Sequence, residues 1–104
     1  MLNRANVKNN LKDYKGAIAD YNKAIEIDSN DAIAYVNRGI AKYLLKDYKG
    51  SIADNNKAIE IDPNYTKAYV NRGAAKHILN ENSCDDFKKA CDLGSCEAFN
   101  QLCK

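Results

Sequence analysis

The sequence predicts an all-α protein: a right-handed α-solenoid of helix-turn-helix repeats, 34 residues to the repeat, with about seven helices. Three observations carry that reading. Leu11–Leu44 and Leu45–Ile78 are identical at 25 of 34 aligned positions, sharing L-K-D-Y-K-G, N-K-A-I-E-I-D and A-Y-V-N-R-G. Within each period the apolar residues recur at helical spacing. The only proline, Pro63, stands in a turn between two such runs. A fixed period of this length marks units that each bury their apolar face on the next.

The elements follow from this register. Met1–Asn10 aligns with Tyr35–Leu44 and keeps Asn3, Arg4 and Lys8 opposite Asn37, Arg38 and Lys42, so it reads as a first helix shortened at its start. A loop ending at Lys12 or Asp13 leads to a second helix, Tyr14–Ile27. There Tyr14, Ala17, Ile18, Tyr21, Ala24 and Ile25 make a buried stripe. Asp28–Asp31 is a turn, with Asn30 or Asp31 as N-cap of a helix Ala32–Leu45. A helix Tyr48–Ile61 follows, then the D-P-N turn and a helix Tyr65–Leu79. After Asn80–Ser83 the register shortens by two residues. Ser83–Leu93 matches Ser51–Ile61 at Ser83, Asp86, Lys89 and Ala90 and reads as a helix closed by Gly94. Ser95 then starts a last helix, Cys96–Cys103. The chain thus divides into one domain of units 1–30, 31–64 and 65–94 and a capping helix 95–104.

Composition narrows the function. Charged residues make up 29% of the 104, with both signs interleaved and a net charge of +2. That gives neither the clustered basic patch of a nucleic-acid binder nor an acidic tail. No run approaches a membrane span, and the first ten residues lack the apolar core of a secretory signal. The expectation is a cytoplasmic protein by default, with neither nucleic acid nor membrane as partner. Met1 falls inside a helix by register, as in an excised piece of a longer protein, whose address would then be lost. His77 is the only histidine, and the phosphate-loop, dinucleotide, zinc-protease and nucleophile-elbow motifs are all missing. No enzyme and no cofactor are expected, and no catalytic residue is assigned.

The pattern resembles the tetratricopeptide repeat family over essentially the whole chain. The resemblance rests on Tyr35, Gly39, Tyr48, Ser51, Ala58, Asp62 and Pro63, on Tyr69 and Gly73, and on Tyr14, Ala17, Tyr21 and Ala24. Gly39 and Gly73 let two helices approach while Tyr35 and Tyr69 fill the space between them. Three departures stand out: Arg38 and Arg72 where the family usually has Leu, Lys42 and Lys76 where it often has Tyr, and Asn55 where Tyr21 leads one to expect an aromatic. The arginines either cover apolar surface with their stems or pair with Asp20 and Asp54 on neighbouring helices. Asn55 should leave the second unit less well packed than the first.

The resemblance implies a protein- or peptide-binding scaffold whose concave groove is lined by the first helix of each unit. Candidate contacts are Val36, Asn37, Ile40, Tyr43, Lys67, Val70, Asn71, Ala74 and His77. Apolar side chains would take anchors and Asn amides would take peptide backbone. Some relatives clamp a terminal carboxylate with five residues. Asn6, Asn37 and Lys67 match three of them, while Leu2 and Asn71 replace two basic ones. One cation therefore stands where that clamp has three, and the clamp does not carry over. Two alternatives come from other classes: a self-assembling module, stacking on a second copy through its open N-terminal end, and a thiol-based redox- or metal-responsive module.

The cysteines bear on the last alternative. Cys84, Cys91, Cys96 and Cys103 lie in the last 21 residues, spaced x6, x4, x6, with no C-x-x-C of the kind zinc sites favour. Four reduced thiols serving as small core residues of the cap are the simpler reading. If Gly94–Ser95 tips a helical hairpin, nested disulfides 84–103 and 91–96 are the alternative. The stretch Asp86–Phe99 also resembles the tails of some bacterial repeat proteins, and a cousin family in which a disulfide staples each hairpin.

Overall fold

A computed structural model describes residues 13–103 as six helices: α1 (Tyr14–Ile27), α2 (Ala32–Leu44), α3 (Tyr48–Ile61), α4 (Thr66–Ile78), α5 (Cys84–Asp92) and α6 (Glu97–Leu102). There is no strand among the described residues. The expected first helix, with Leu2 and Asn6, lies outside them, as does the N-terminal end through which stacking was expected. Each helix packs on the next, and α2 also packs on α4, its counterpart one unit along. That combination is a helical solenoid.

Side chains and turns fix the helix ends. Asp13, Asp31 and Asp47 each accept a hydrogen bond from the backbone N–H three residues on, at 3.0, 3.2 and 3.0 Å. Loss of such a cap costs about 1 kcal/mol. Asp31, not Asn30, is therefore the N-cap of α2. Tyr65, its counterpart before α4, makes no side-chain cap. Gly94, at φ +112°, closes α5: its N–H donates to Cys91 O and that of Ser95 to Ala90 O, both at 2.9 Å. This paired closure is a Schellman motif. Lys46 and Asn80 hold the same place after α2 and α4, at φ +67° and +58°.

The interfaces are built from small residues and aromatics. Ala17, Ala34, Ala41, Ala58, Ala68, Ala75 and Ala90 are buried, with Tyr21, Tyr35, Val36, Tyr69 and Phe87 between them. In the stripe expected on α1, Ala17 and Tyr21 are buried while Tyr14, Ile18, Ala24 and Ile25 are half-buried. Gly73 lies against the ring of Phe87, where an added Cβ would stand 2.6 Å from Cε1.

The arginines hold the units together; of their two expected partners, Asp54 takes Arg38 while Asp20 is replaced by Asp86 as partner of Arg72. Arg38 donates from Nε and Nη2 to the two Asp54 oxygens at 2.9 and 2.6 Å, and from Nη1 to Asn22 at 2.8 Å. Arg72 repeats this on Asp86, at 2.9 and 2.6 Å, and on Asn56 at 2.8 Å. Each arginine therefore joins the second helix of its own unit to that of the unit before. Its carboxylate partner lies forward in the chain, on Asp54 for Arg38 and on Asp86 for Arg72. Asp20 takes neither arginine, because the forked guanidinium meets a carboxylate bidentately on the following helix and reaches back only to an amide. Lys42 and Lys76 add longer contacts to the same carboxylates, at 3.2 and 3.7 Å. Hydrogen bonding to Asp54 holds the Arg38 guanidinium above its ordinary pKa, against the opposing pull of burial.

Asn55 leaves a buried polar atom unmet in the second unit. It is fully buried; its Nδ2 donates to Ser51 O at 3.0 Å, while its Oδ1 finds no partner. An unmet buried polar atom costs about 1–3 kcal/mol.

The cap departs from the simpler reading of its cysteines. Cys84 is bonded to Cys103 and Cys91 to Cys96, leaving no free thiol. Both helices of the hairpin present cysteines seven residues apart, two helical turns, so the bridges form two rungs on facing sides of α5 and α6.

Candidate functional site

Repetition makes the units near copies, so the positions at which they differ mark the places where they diverge. A cavity of about 300 Å³ lies where α2, α3 and α4 meet, lined by Ile40, Tyr43, Leu44, Ser51, Asn71 and Ala74. Four of these, Ile40, Tyr43, Asn71 and Ala74, are among the expected contact residues. The repeat register explains the space: Ala74 stands where the preceding unit has Ile40, so the α4 wall lacks the larger side chain.

Ser51 and Leu44 were not among the expected contacts. One signal in the sequence finds them. Of the nine positions at which the two copies differ (34 less 25), four supply five of the six lining residues: Ala17/Ser51, Ile40/Ala74, Tyr43/His77 and Leu44/Ile78. Asn71 alone is unchanged from its counterpart, Asn37.

The lining is uncharged. Tyr43 is held by an edge-to-face contact with Tyr48, centroids 5.3 Å apart. This fixes its ring at the mouth of the loop between α2 and α3. Ile40 packs against the core formed by Tyr35, Val36, Ala58 and Ala68. Asn71 has an Nδ2 that is buried without an acceptor, so both donors of its amide are unspent.

The remaining expected residues fall elsewhere. Val36 is 0% exposed and fills the core against Ala58 and Ala68, so it has no surface to offer a partner. Its position, one turn before Ile40, turns it toward α3 and α4. Val70 does not line this cavity but a second cleft of about 200 Å³, shared with Ser95, Glu97, Ala98 and Gln101 of the cap. Asn37 is half-buried, Lys67 and His77 are exposed, and none of the three lines the cavity. The four cysteines are paired away in the cap, so no thiolate remains there to ligate a metal.

Comparison with known families places this geometry. Models described as TPR repeat and tetratricopeptide repeat match residues 5–46 and 32–65. The first tetratricopeptide domain of Spaghetti (RPAP3), solved with the HSP90 peptide SRMEEVD, superposes with a TM-score of 0.92 at 30% identity, covering 97% of this chain and 83% of that one. The chain belongs to the tetratricopeptide repeat family. The Arabidopsis OM64 TPR domain is also similar, at TM-score 0.88, 30% identity and coverages of 90% and 79%. So is the TPR2B domain of yeast Sti1 in its Hsp70 complex, at TM-score 0.89, 28% identity and coverages of 94% and 86%. A comparison with curated protein sequences finds no significant match. Two of these three neighbours, the RPAP3 and Sti1 domains, were solved with a chaperone ligand bound.

Proposed function

We propose that this tetratricopeptide protein is a non-catalytic scaffold that holds a segment of another protein along the face formed by α2 and α4. The anchor of that segment sits in the cavity between them. One observation carries the reading: the cavity is lined at the positions where otherwise near-identical repeats differ. Side chains that only join units have no reason to diverge there while the joints themselves, Arg38–Asp54 and Arg72–Asp86, are kept.

The chemistry favours an uncharged anchor. The RPAP3 peptide SRMEEVD carries three acidic side chains. Here all six lining residues are neutral, and Asn71 stands at a position where the clamp of some relatives has a cation. Ile40, Leu44 and Ala74 suit an apolar side chain, and the Asn71 amide suits a peptide carbonyl once it turns about its last torsion. Lys67, exposed on the first turn of α4, remains for a single acidic residue at the edge of the segment.

The test is selection of a displayed random-peptide library on the full oxidised chain, with an Ala74→Trp variant that fills the cavity. Enriched peptides should share a large apolar residue and bind Ala74→Trp more weakly by about tenfold or more, a 1.4 kcal/mol loss. Absence of enrichment, or enriched peptides that bind Ala74→Trp equally, rejects the reading.

A further inference from the structure

The last helix has little to hold it in place except its bridges. α6 spans six residues, buries none of them, has no side-chain cap and leaves Leu102 half exposed. It packs chiefly on α5. A helix this short has no stability of its own, since isolated helices below about 12–15 residues are marginal in water. Yet both of its ends are tied: Cys96 at its start to Cys91, and Cys103 at its end to Cys84. Tied in this way, it sets Glu97, Ala98 and Gln101 across from Val70. Val70 precedes Asn71 on α4, so α6 lies beside the proposed binding face, at its C-terminal end.

We propose that α6 is a thiol-responsive strap that closes off the C-terminal end of this face while both bridges are intact. The proposal rests on the reading of α2 and α4 as the binding face and adds its regulation. The opening reaction is thiol–disulfide exchange with a dithiol reductant. A reductant thiolate attacks one cysteine sulfur, the S–S bond breaks, and the departing cysteine thiolate takes up a proton. The second thiol of the reductant then resolves the mixed disulfide and leaves as an intramolecular disulfide. Each bridge gains two electrons and two protons, giving two cysteine thiols, and one reductant dithiol is oxidised. With both bridges open, α6 leaves Val70 and the face lengthens by the surface it covered. α5 stays, because Phe87 and Asp86 dock it on α4 independently of sulfur.

Hydrogen exchange on the full chain tests this without any peptide, comparing oxidised protein with protein held in excess dithiothreitol. The hydrogen-bonded amides of α6, residues 100–103, should lose protection on the order of tenfold on reduction while α1–α4 keep theirs. The Val70 methyl signals should become more sensitive to a soluble paramagnetic probe. The variant with all four cysteines replaced by Ser should show the reduced pattern under air. Unchanged protection at 100–103 after reduction overturns the proposal. So does loss of protection throughout α4 and α5, which would make the bridges staples of the whole cap. Since no ligand enters the measurement, failure to find a peptide leaves its result standing.

Discussion

Replacing Asp54 with Ala removes three charge-assisted contacts at once: two from Arg38, at 2.9 and 2.6 Å, and one from Lys42 at 3.2 Å. The Asp54 side chain is 4% exposed, whereas those of Arg38 and Lys42 are 18% and 23% exposed. Breaking a buried pair by deleting one partner costs about 3–5 kcal/mol. The stranded guanidinium keeps Asn22 and some access to water, which sets the expected loss at the low end, about 3 kcal/mol. Asp86→Ala should cost slightly less, since Lys76 is farther away at 3.7 Å. Urea unfolding of each variant, read from the midpoint with an unchanged slope, gives the loss. The double variant Asp54→Ala/Arg38→Met should be more stable than the sum of the single losses implies, by about 2 kcal/mol. A loss below about 1 kcal/mol for Asp54→Ala, the range of exposed ion pairs, would refute the claim that these arginines join the units.

Other consequences follow from the packing. Gly73→Ala puts a Cβ 2.6 Å from the buried Phe87 ring and should destabilise by about 2 kcal/mol. Gly39→Ala, whose nearest contacts are 3.2–3.3 Å, should lose less, since its overlap is milder while the helix-propensity gain of about 1 kcal/mol is common to both; equal losses would contradict the packing. Lys46→Gly relieves a side chain from left-handed backbone and should raise stability by about 1 kcal/mol in the same assay. Burial, then the Asp20 charge, raises the Tyr21 phenol; burial, then Asp31 and Asp62, raises that of Tyr65. A raised folded value means the unfolded chain deprotonates first. The contribution is therefore intact below about pH 10 and declines as pH climbs above it. Tyr21→Phe should flatten part of that decline in unfolding measured between neutral and alkaline pH.

The helices were legible because the sequence writes them twice. Two copies in register give the period, and the Asp, Gly and Pro punctuation gives the ends to within a residue or two. Of the two expected arginine partners Asp54 is found and Asp20 is not, for the same reason. A repeating chain offers Arg38 an aspartate on either side, Asp20 behind and Asp54 ahead, and spacing alone does not choose between them. Val36 shares a helical stripe with Ile40, yet one turn is enough to carry it from the cavity wall into the core. Val70 was placed by its own helix, without the cap hairpin that faces it, because α6 enters no repeat. The cysteine spacing is compatible with nested bridges and with reduced thiols packed as small core residues, and spacing alone does not choose between them. Ser51 and Leu44 stand out only in the differences between the copies, which a repeat signature built on identities passes over.

The most direct measurement is chemical-shift mapping of a library-selected peptide titrated into isotope-labelled oxidised protein. The account predicts that the largest changes fall on Ile40, Tyr43, Leu44, Asn71 and Ala74, with the Asn71 side-chain amide shifting as it gains an acceptor. Changes gathered instead on the outer faces of α1 and α3, with those five residues silent, would contradict it.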